Sequence, residues 1–224
     1  MLLSSSFSKK FIALAVAALG TTVASAQVDV TCTSSITGGT TQNVLVPLGA
    51  SCTLTDVRVL GNVEVKDGAS VIVRRGSVNG DVIVELGASA RLNRGNVNGS
   101  VAGFGARLIS VSGTTIAKDV LAEDTASIVI ATGASIGKLE ALRSGRITMS
   151  GVRVAGDVKF EENFGAIVAD GNTVAGNFEA YLNSGGAAFN ANVIRGNMQC
   201  KDNLPAPAGA GNVAAIKEDQ CALL

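Results

Sequence analysis

The stretch Gly61–Asn79 reads GNVEVKDGASVIVRRGSVN, and the next nineteen residues, Gly80–Asn98, repeat its pattern as GDVIVELGASARLNRGNVN. Self-similarity at a fixed period of this length is typical of solenoid proteins, in which each repeat forms one coil. The first position of the unit recurs every nineteenth residue as far as Gly156 and every twentieth residue after it, at Gln42, Gly61, Gly80, Gly99, Lys118, Gly137, Gly156, Gly176 and Gly196.

Within each unit, apolar and other residues alternate, which is the period of a β-strand and not of a helix. The apolar positions are mostly β-branched, and Gly-Ala-Ser, Arg-Gly and Gly-Asn/Asp segments typical of turns separate them. Four inward columns are predicted: Val44, Val63, Val82, Val101, Val120, Leu139, Val158, Phe178 and Met198; Val71, Ala90, Ile109, Ile128 and Ile147; Val73, Leu92, Val111, Ile130 and Met149; and Val59, Val78, Val97, Ile116, Val154, Val174 and Ile194.

The pattern therefore predicts an all-β fold, a single-chain parallel β-helix (β-solenoid) of about nine coils, each nineteen or twenty residues long. Each coil has three short strands and three corners. We expect a right-handed winding, because a left-handed hexapeptide helix is built from six-residue sides and the coil here is not a multiple of six. A β-sandwich is the alternative, and the fixed period argues against it.

Residues 1–26 have the features of a secretory signal peptide. Lys9 and Lys10 precede an apolar run, Phe11–Gly20, and the small residues Ala24-Ser25-Ala26 follow it. The run is too short to span a bilayer, which takes about 20 residues. We expect cleavage before Gln27, no membrane span after it, and an exported protein located outside the cell, at the cell surface or in the periplasm. A membrane anchor or buried helix is the alternative.

Four cysteines lie near the two ends of the predicted solenoid. Cys32 and Cys52 are twenty positions apart and Cys200 and Cys221 are twenty-one apart, each close to one coil. Residues one coil apart lie about 4.8 Å from each other, within reach of a disulfide. We predict the disulfides Cys32–Cys52 and Cys200–Cys221, which would protect the terminal coils. A redox or metal site is the alternative, but no Cys-x-x-Cys motif is present.

Three segments follow: a signal peptide over 1–26, a β-solenoid over 27–203, and a capping loop and tail over 204–224. The stretch Asn203-Leu204-Pro205-Ala206-Pro207 spans the start of the last segment, and the residues from there to Cys221 are rich in Pro, Gly and Ala. We expect it to cross the last coil and cover its edge, because unprotected strand edges promote aggregation.

The composition excludes several classes of function. Eighteen basic and eighteen acidic residues leave no net charge, so the chain lacks the basic surface that nucleic-acid binding requires. It has no histidine, and hence no His-dependent nucleophile or imidazole metal ligand. We expect no catalytic residues, no cofactor and no metal, and we interpret the chain as a non-enzyme.

A few clusters remain as candidate sites. Arg74, Arg75, Arg91 and Arg94 fall on matching or nearby positions of two adjacent coils, and they are candidates for contact with an anionic glycan or lipid headgroup. A solvated face balanced by Asp67, Asp81 and Glu85 is the alternative.

Other residues have a functional and a structural interpretation as well. The adjacent pair Glu161-Glu162 suggests a general acid/base pair, against a solvated corner. The aromatic group Phe160, Phe164, Phe178, Tyr181 and Phe189 suggests a sugar-stacking patch, against a wider core. The column Asn62, Asp81, Asp119, Asp157, Asn177 and Asn197 suggests calcium, against hydrogen bonding at the corners. We favour the structural interpretation of each.

The Gly-Asn/Asp-Val-x-Val repeats with Gly-Ala-Ser corners resemble the bactofilins, a family of polymer-forming β-helices. The resemblance covers most of the chain after the signal peptide and implies rods that can stack. Bactofilins are cytoplasmic and lack a signal peptide and paired cysteines, so the chain is more similar to exported bacterial β-solenoid proteins of unassigned role.

Two classes of function stay open. The first is a structural or surface-contact protein, a rigid rod of the cell surface or extracellular matrix that associates with itself or with surface polysaccharide. The second is a glycan-binding or glycan-active β-helix protein. The missing histidine, the scarce aromatic residues and the uninterrupted coils favour the first.

Overall fold

A computed structural model describes residues 29–224. The predicted signal peptide, 1–26, and the cleavage position before Gln27 lie outside these residues. The described chain forms 29 short strands, numbered β1 to β29 in chain order, and every strand pairing is parallel. It winds through three sheets in turn, so that consecutive strands of one sheet lie one coil apart. The predicted parallel β-solenoid is confirmed.

Sheet 1 has eleven strands, and it runs from one end of the solenoid to the other. At about 4.8 Å per strand, its ten steps give a rod about 48 Å long. Its strands are β1 (Val30–Thr31), β4 (Val44–Val46), β7 (Val63–Val65), β10 (Val82–Val84), β13 (Val101–Phe104), β16 (Val120–Glu123), β19 (Leu139–Leu142), β22 (Val158–Glu161), β25 (Phe178–Tyr181), β28 (Met198–Lys201) and β29 (Lys217–Asp219).

Sheets 2 and 3 have nine strands each. Sheet 2 comprises β2 (Ser35–Thr37), β5 (Ser51–Thr55), β8 (Ser70–Arg74), β11 (Ser89–Asn93), β14 (Leu108–Ser112), β17 (Ser127–Ala131), β20 (Arg146–Ser150), β23 (Ile167–Asp170) and β26 (Ala187–Asn190). Sheet 3 comprises β3 (Thr40–Thr41), β6 (Arg58–Val59), β9 (Ser77–Val78), β12 (Asn96–Val97), β15 (Thr115–Ile116), β18 (Ser135–Ile136), β21 (Arg153–Val154), β24 (Thr173–Val174) and β27 (Val193–Ile194).

The register follows the sequence period. Val82 pairs with Val63 on one side and with Val101 on the other, and the step lengthens by one residue where Val158 pairs with Phe178. All members of the four predicted columns are buried. Ile136 fills the gap in the fourth column, since it pairs with Ile116 and Val154. The core is thus a stack of aliphatic ladders along the rod axis.

The longer coils of the C-terminal part enclose the aromatic core. Phe160, Phe178 and Phe189 are fully buried, with ring centroids 4.8–6.3 Å apart. The extra residue enters at the corner between sheets 1 and 2, where the side chain of Phe164 is exposed. A longer perimeter gives the bulky rings room, and the predicted wider core is confirmed for these three residues.

The C-terminal segment, 204–224, follows the path of one more coil and lies in register with the coil below it. Ala208 bridges to Ala188 and Val213 to Val193, and β29 pairs with β28. The segment thus lies against the preceding coil, but it continues the winding and does not cross that coil as expected. Residues 29–41 add a partial coil at the other end, so the solenoid has about ten coils and not nine.

Both cysteine pairs form as predicted. The Cα atoms of Cys32 and Cys52 are 5.6 Å apart, and those of Cys200 and Cys221 are 5.1 Å apart. Each disulfide joins a terminal coil to its neighbour, and all four cysteines are buried. At the C-terminal end, Leu224 is also buried, and its carbonyl oxygen accepts a hydrogen bond of 2.5 Å from Lys217 Nζ.

Candidate functional site

The four predicted arginines lie around the edge where sheet 2 turns into sheet 3. Arg74 ends β8, Arg91 is in the middle of β11, and Arg75 and Arg94 are the corner residues that follow these two strands. All four are exposed. The structure therefore brings them to one edge of the rod, over two consecutive coils.

The corner backbone explains this arrangement. Arg75 and Arg94 have φ values of 52° and 57°, in the left-handed region that single residues use to make sharp turns. The amide of Arg75 donates to the carbonyl of Asn93 and that of Arg94 to the carbonyl of Ser112, at 3.0 Å each. The two arginines thus occupy equivalent positions one coil apart, about 4.8 Å along the axis.

Three of the four arginines, Arg74, Arg75 and Arg94, line a concavity of about 270 Å³. Asn93 and Ser112 complete its lining. Arg74 and Asn93 pair in register, and Arg91 lies two residues before Asn93 on the same outward face of β11. The lining combines guanidinium, amide and hydroxyl groups. Its hydrogen-bond donors suit an anionic group.

Asp56 is the carboxylate that balances part of this charge. It occupies the same corner one coil below, and its oxygens accept hydrogen bonds of 2.9 and 2.8 Å from Arg75 Nε and Nη2. This fork-shaped contact lowers the pKa of Asp56 and raises the pKa of Arg75. The expectation that Asp67, Asp81 and Glu85 balance the cluster is wrong in its residues, because Glu85 binds Lys66 and the two aspartates lie at other corners.

Charge separates between the faces of the rod. All eight glutamates lie on sheet 1 or at a corner beside it. Nine of the ten arginines lie in sheets 2 and 3, at the corner between them, or next to their strands. In residues 29–224, Arg75 is the only one of these nine that forms an ion pair. The glutamates and the arginines occupy different positions of the repeat in the sequence. Which face of the rod each position lies on is known only from the structure.

Sheet 1 pairs its own charges. Lys66 contacts both Glu64 and Glu85, Lys138 contacts Glu140, and Lys159 contacts Glu161. Arg143, at the corner after β19, contacts Glu123 and Asp124. The acidic face is therefore laced by ion pairs within the chain, whereas the arginine edge is mostly unpaired in the described residues.

The carboxylates Glu161 and Glu162 have different environments. Glu161 ends β22 and forms an ion pair with Lys159 at 2.6 Å, while Glu162 is exposed in a corner with φ of 54°. The five aromatic residues do not form one surface patch, since three of their rings are buried in the core, as the favoured structural interpretation predicts. Tyr181 donates a hydrogen bond to Gln199, at 2.7 Å.

The Asn/Asp column serves the corner between sheets 3 and 1, as the structural interpretation predicts. Asn62 Oδ1 accepts a hydrogen bond of 2.9 Å from the amide of Asp81 in the next coil, and Asp81 Oδ1 accepts one of 2.7 Å from Ser100. Asp157 and Asn177 repeat the arrangement at 2.7 and 3.0 Å. The side-chain oxygens of these four residues therefore bind backbone amides.

An outward apolar depression on sheet 1 was not expected from the sequence. Phe104, Leu121 and Leu142 line a concavity of about 180 Å³ together with Glu123 and Glu140. Phe104 is 52% exposed and the neighbouring Leu86 is 65% exposed. The signal was available in the outward positions of these coils, which carry apolar residues where other coils carry charged ones.

No protein-family model, curated protein or solved structure matches the chain. The bactofilin-like character of the repeat, its bacterial origin and the right-handed winding stay predictions, while the repeated β-solenoid architecture is observed. In the part of the chain from residue 29 onward, no helix is long and apolar enough to cross a membrane.

Proposed function

We propose that the chain is an exported, non-catalytic structural or surface-contact protein, a rigid rod that acts through its lateral faces. The observation that carries this proposal is the ladder of sheet 1, which runs through eleven strands and is uninterrupted by an inserted loop within residues 29–224. Such a stack resists bending, because each coil is bonded to its neighbours along three sheets.

The two disulfides support a location outside the cytoplasm. Disulfides persist in oxidising compartments and are rare in the cytosol. Here they fasten the first and last coils of the described chain, 29–224, in which each of these coils pairs on one side only. The cross-linked ends, together with Pro205 and Pro207 in the last segment, which cannot donate backbone hydrogen bonds, favour contact through the sides of the rod over end-to-end stacking.

Fractionation of the producing cells tests export. We expect the protein outside the cytoplasm, with Gln27 as its first residue and with disulfides Cys32–Cys52 and Cys200–Cys221 in a non-reducing peptide map. A matched chain that begins with Met followed by Gln27 should stay in the cytoplasm. Recovery of the full-length chain in the cytoplasm with reduced cysteines would contradict the proposal.

Electron microscopy and turnover assays test the structural role. We expect rods about 48 Å long that do not grow end to end with concentration. A glycosidase or lyase activity that Glu161→Gln or Glu162→Gln abolishes would replace the structural function by an enzymatic one.

A further inference from the structure

We infer that the arginine edge, formed by Arg74, Arg75, Arg91 and Arg94, is a binding site for the carboxylate groups of an acidic polysaccharide. The inference rests on the proposed function, because an exported rod meets such polymers outside the cell.

Most arginines of the edge have no carboxylate partner within residues 29–224 and so can bind an external one. Arg75 is held by Asp56 through two hydrogen bonds, whereas Arg74, Arg91 and Arg94 have no ion pair within residues 29–224. Guanidinium groups bind carboxylates through paired, charge-assisted hydrogen bonds. Two of these guanidiniums, Arg74 and Arg94, line the concavity, and Arg91 lies two residues before its Asn93, so together they form a receptor for carboxylate, while Arg75 is partly occupied by the internal carboxylate of Asp56.

The arginines of the edge are arranged along the axis of the rod. Arg75 and Arg94 project from equivalent left-handed corners of consecutive coils, so their side chains follow each other along the rod axis. Beyond Arg94 the corner is occupied by Gly113, which has no side chain, and a Cβ there would lie 3.4 Å from the Cγ of Arg94. An extended ligand can thus lie along the edge and meet successive arginines.

The pairing of the chain's own glutamates favours a polysaccharide over a second copy of the chain as the ligand. All eight glutamates lie on sheet 1 or beside it, and five of them, Glu64, Glu85, Glu123, Glu140 and Glu161, are already paired with lysine or arginine on the same side of the rod. Binding them to another rod's arginines would first break those pairs. A free acidic polymer carries no such cost.

Binding to polygalacturonate, a linear polymer of uronic acid, tests the site, with neutral dextran as the control polymer. We expect the double variant Arg74→Gln/Arg94→Gln to bind at least about tenfold more weakly, since each lost charge-assisted contact is among the stronger hydrogen bonds. The matched control Arg146→Gln/Arg153→Gln removes two arginines of sheets 2 and 3 that form no ion pair in the described chain and lie away from the concavity. We expect it to change affinity less than about twofold.

Asp56→Asn provides the reciprocal test. The change releases Arg75, so affinity for polygalacturonate should rise several-fold. Asp67→Asn alters the net charge equally at an exposed corner on another edge, and we expect it to leave affinity unchanged. Thermal melts of every variant establish that the solenoid is folded.

Equal losses from both arginine pairs, or equal gains from both aspartate variants, would overturn the site in favour of a general charge effect. Binding to dextran as tight as that to polygalacturonate would overturn the carboxylate assignment. Sedimentation of the protein alone that slows only in Arg74→Gln/Arg94→Gln would make a second copy the partner and overturn the polysaccharide. Export and rod shape are measured separately, so these outcomes do not bear on the proposed function.

Discussion

Buried asparagines are the residue-scale feature that most affects the C-terminal half of the rod. Asn163, Asn183 and Asn203 stack at the corner between sheets 1 and 2, and Asn172, Asn192 and Asn212 stack at the corner between sheets 2 and 3. Each ladder advances by one coil from member to member. Every one of these six side chains is buried and hydrogen-bonded.

Asn183 shows how complete the bonding is. Its Nδ2 donates to Asn203 Oδ1 at 2.8 Å and to the carbonyl of Phe160 at 3.0 Å. Its Oδ1 accepts from both the backbone amide and the Nδ2 of Asn163, at 3.0 and 2.9 Å. A buried amide that satisfies all its hydrogen bonds stabilises one packing arrangement, whereas a partner left unbonded is costly.

Asn183→Ala should therefore destabilise the protein by about 2–4 kcal/mol, because it leaves polar groups of both adjacent coils buried without partners. Chemical denaturation measures the loss. The matched control is Asn98→Ala, in which an exposed amide loses a hydrogen bond of 3.3 Å to Asn79. We expect that control to stay within about 0.5 kcal/mol of the parent protein, and equal losses would contradict the role of the ladder.

Glu179 is a second residue whose environment has a measurable consequence. Partial burial raises the pKa of its carboxyl above the usual value, and Asp157 adds to the rise while Lys159 opposes it. A carboxyl with a raised folded-state pKa binds its proton more tightly in the folded than in the unfolded protein. The stability of the protein therefore falls as pH rises from the unfolded-state pKa to the folded-state pKa.

Glu179→Gln should then raise the melting temperature at pH 7, where the parent carboxylate is charged, and lose this advantage at pH 3, where the parent carboxyl is protonated. The free-energy gain expected at such a surface position is within about 0.5 kcal/mol. Melting curves at the two pH values measure it. The same difference in melting temperature at both would show that the charge of Glu179 is irrelevant.

Corners are the elements that hold the coils in register. At the corner between sheets 3 and 1, the carboxamide of Asn62 occupies the space where a Cβ on Gly80 would lie, and its Oδ1 accepts from the amide of Asp81. Glycine is needed there because the preceding coil's side chain passes so close. The Gly-Asn/Asp pair of the repeat is thus one device, in which each asparagine requires the glycine of the next coil.

Gly80→Ala should destabilise the solenoid by about 1–3 kcal/mol, as forced insertion of a methyl group does in a packed region. Gly156→Ala is the matched control. Gly156 occupies the same slot, but the coil before it has Lys138 in place of the asparagine, and a Cβ there would lie 3.2 Å from the nearest atom, the carbonyl oxygen of Gly137. Denaturation midpoints should fall further for Gly80→Ala than for Gly156→Ala, and the reverse order would contradict the corner mechanism.

The whole molecule behaves as a one-dimensional stack, because each coil contacts only its neighbours. Within residues 29–224 the two terminal coils have a neighbouring coil on one side alone, and the disulfides close loops with sequence separations of 20 and 21 residues there. Loops of this size contribute about 3 kcal/mol each in the chain-entropy account. The stability of the ends, but not of the centre, should depend on the disulfides.

Reduction with a thiol should accelerate amide exchange in β1, β2 and β29 while leaving β13 to β19 protected. Hydrogen-exchange mass spectrometry resolves these segments. The variant Cys32→Ser/Cys52→Ser is the control for direction, since only the N-terminal strands should lose protection in it. A uniform loss along the chain would show that the rod unfolds as a single unit and not from its ends.

The sequence by itself determined the period, the four inward columns and both disulfides. These features depend on strand alternation and on the distance between adjacent coils, and both are fixed by backbone geometry. Val111 and Cys52 show this. Each pairs with a buried apolar residue one coil further on, Val111 with Ile130 and Cys52 with Val71, and each is itself buried.

Only the tertiary structure decided the inward asparagines and which arginines of the arginine edge are paired. A corner residue in the left-handed conformation turns the next side chain toward the core, and Asn163 is therefore buried after Glu162. This could not be predicted from the sequence, because the alternation of inward and outward side chains holds within strands and not at corners. The same corner conformation brings Arg75 over Asp56 and leaves Arg94 without a carboxylate among the described residues. Such contacts join residues one coil apart in the sequence, and they exist only after the coils are stacked in register.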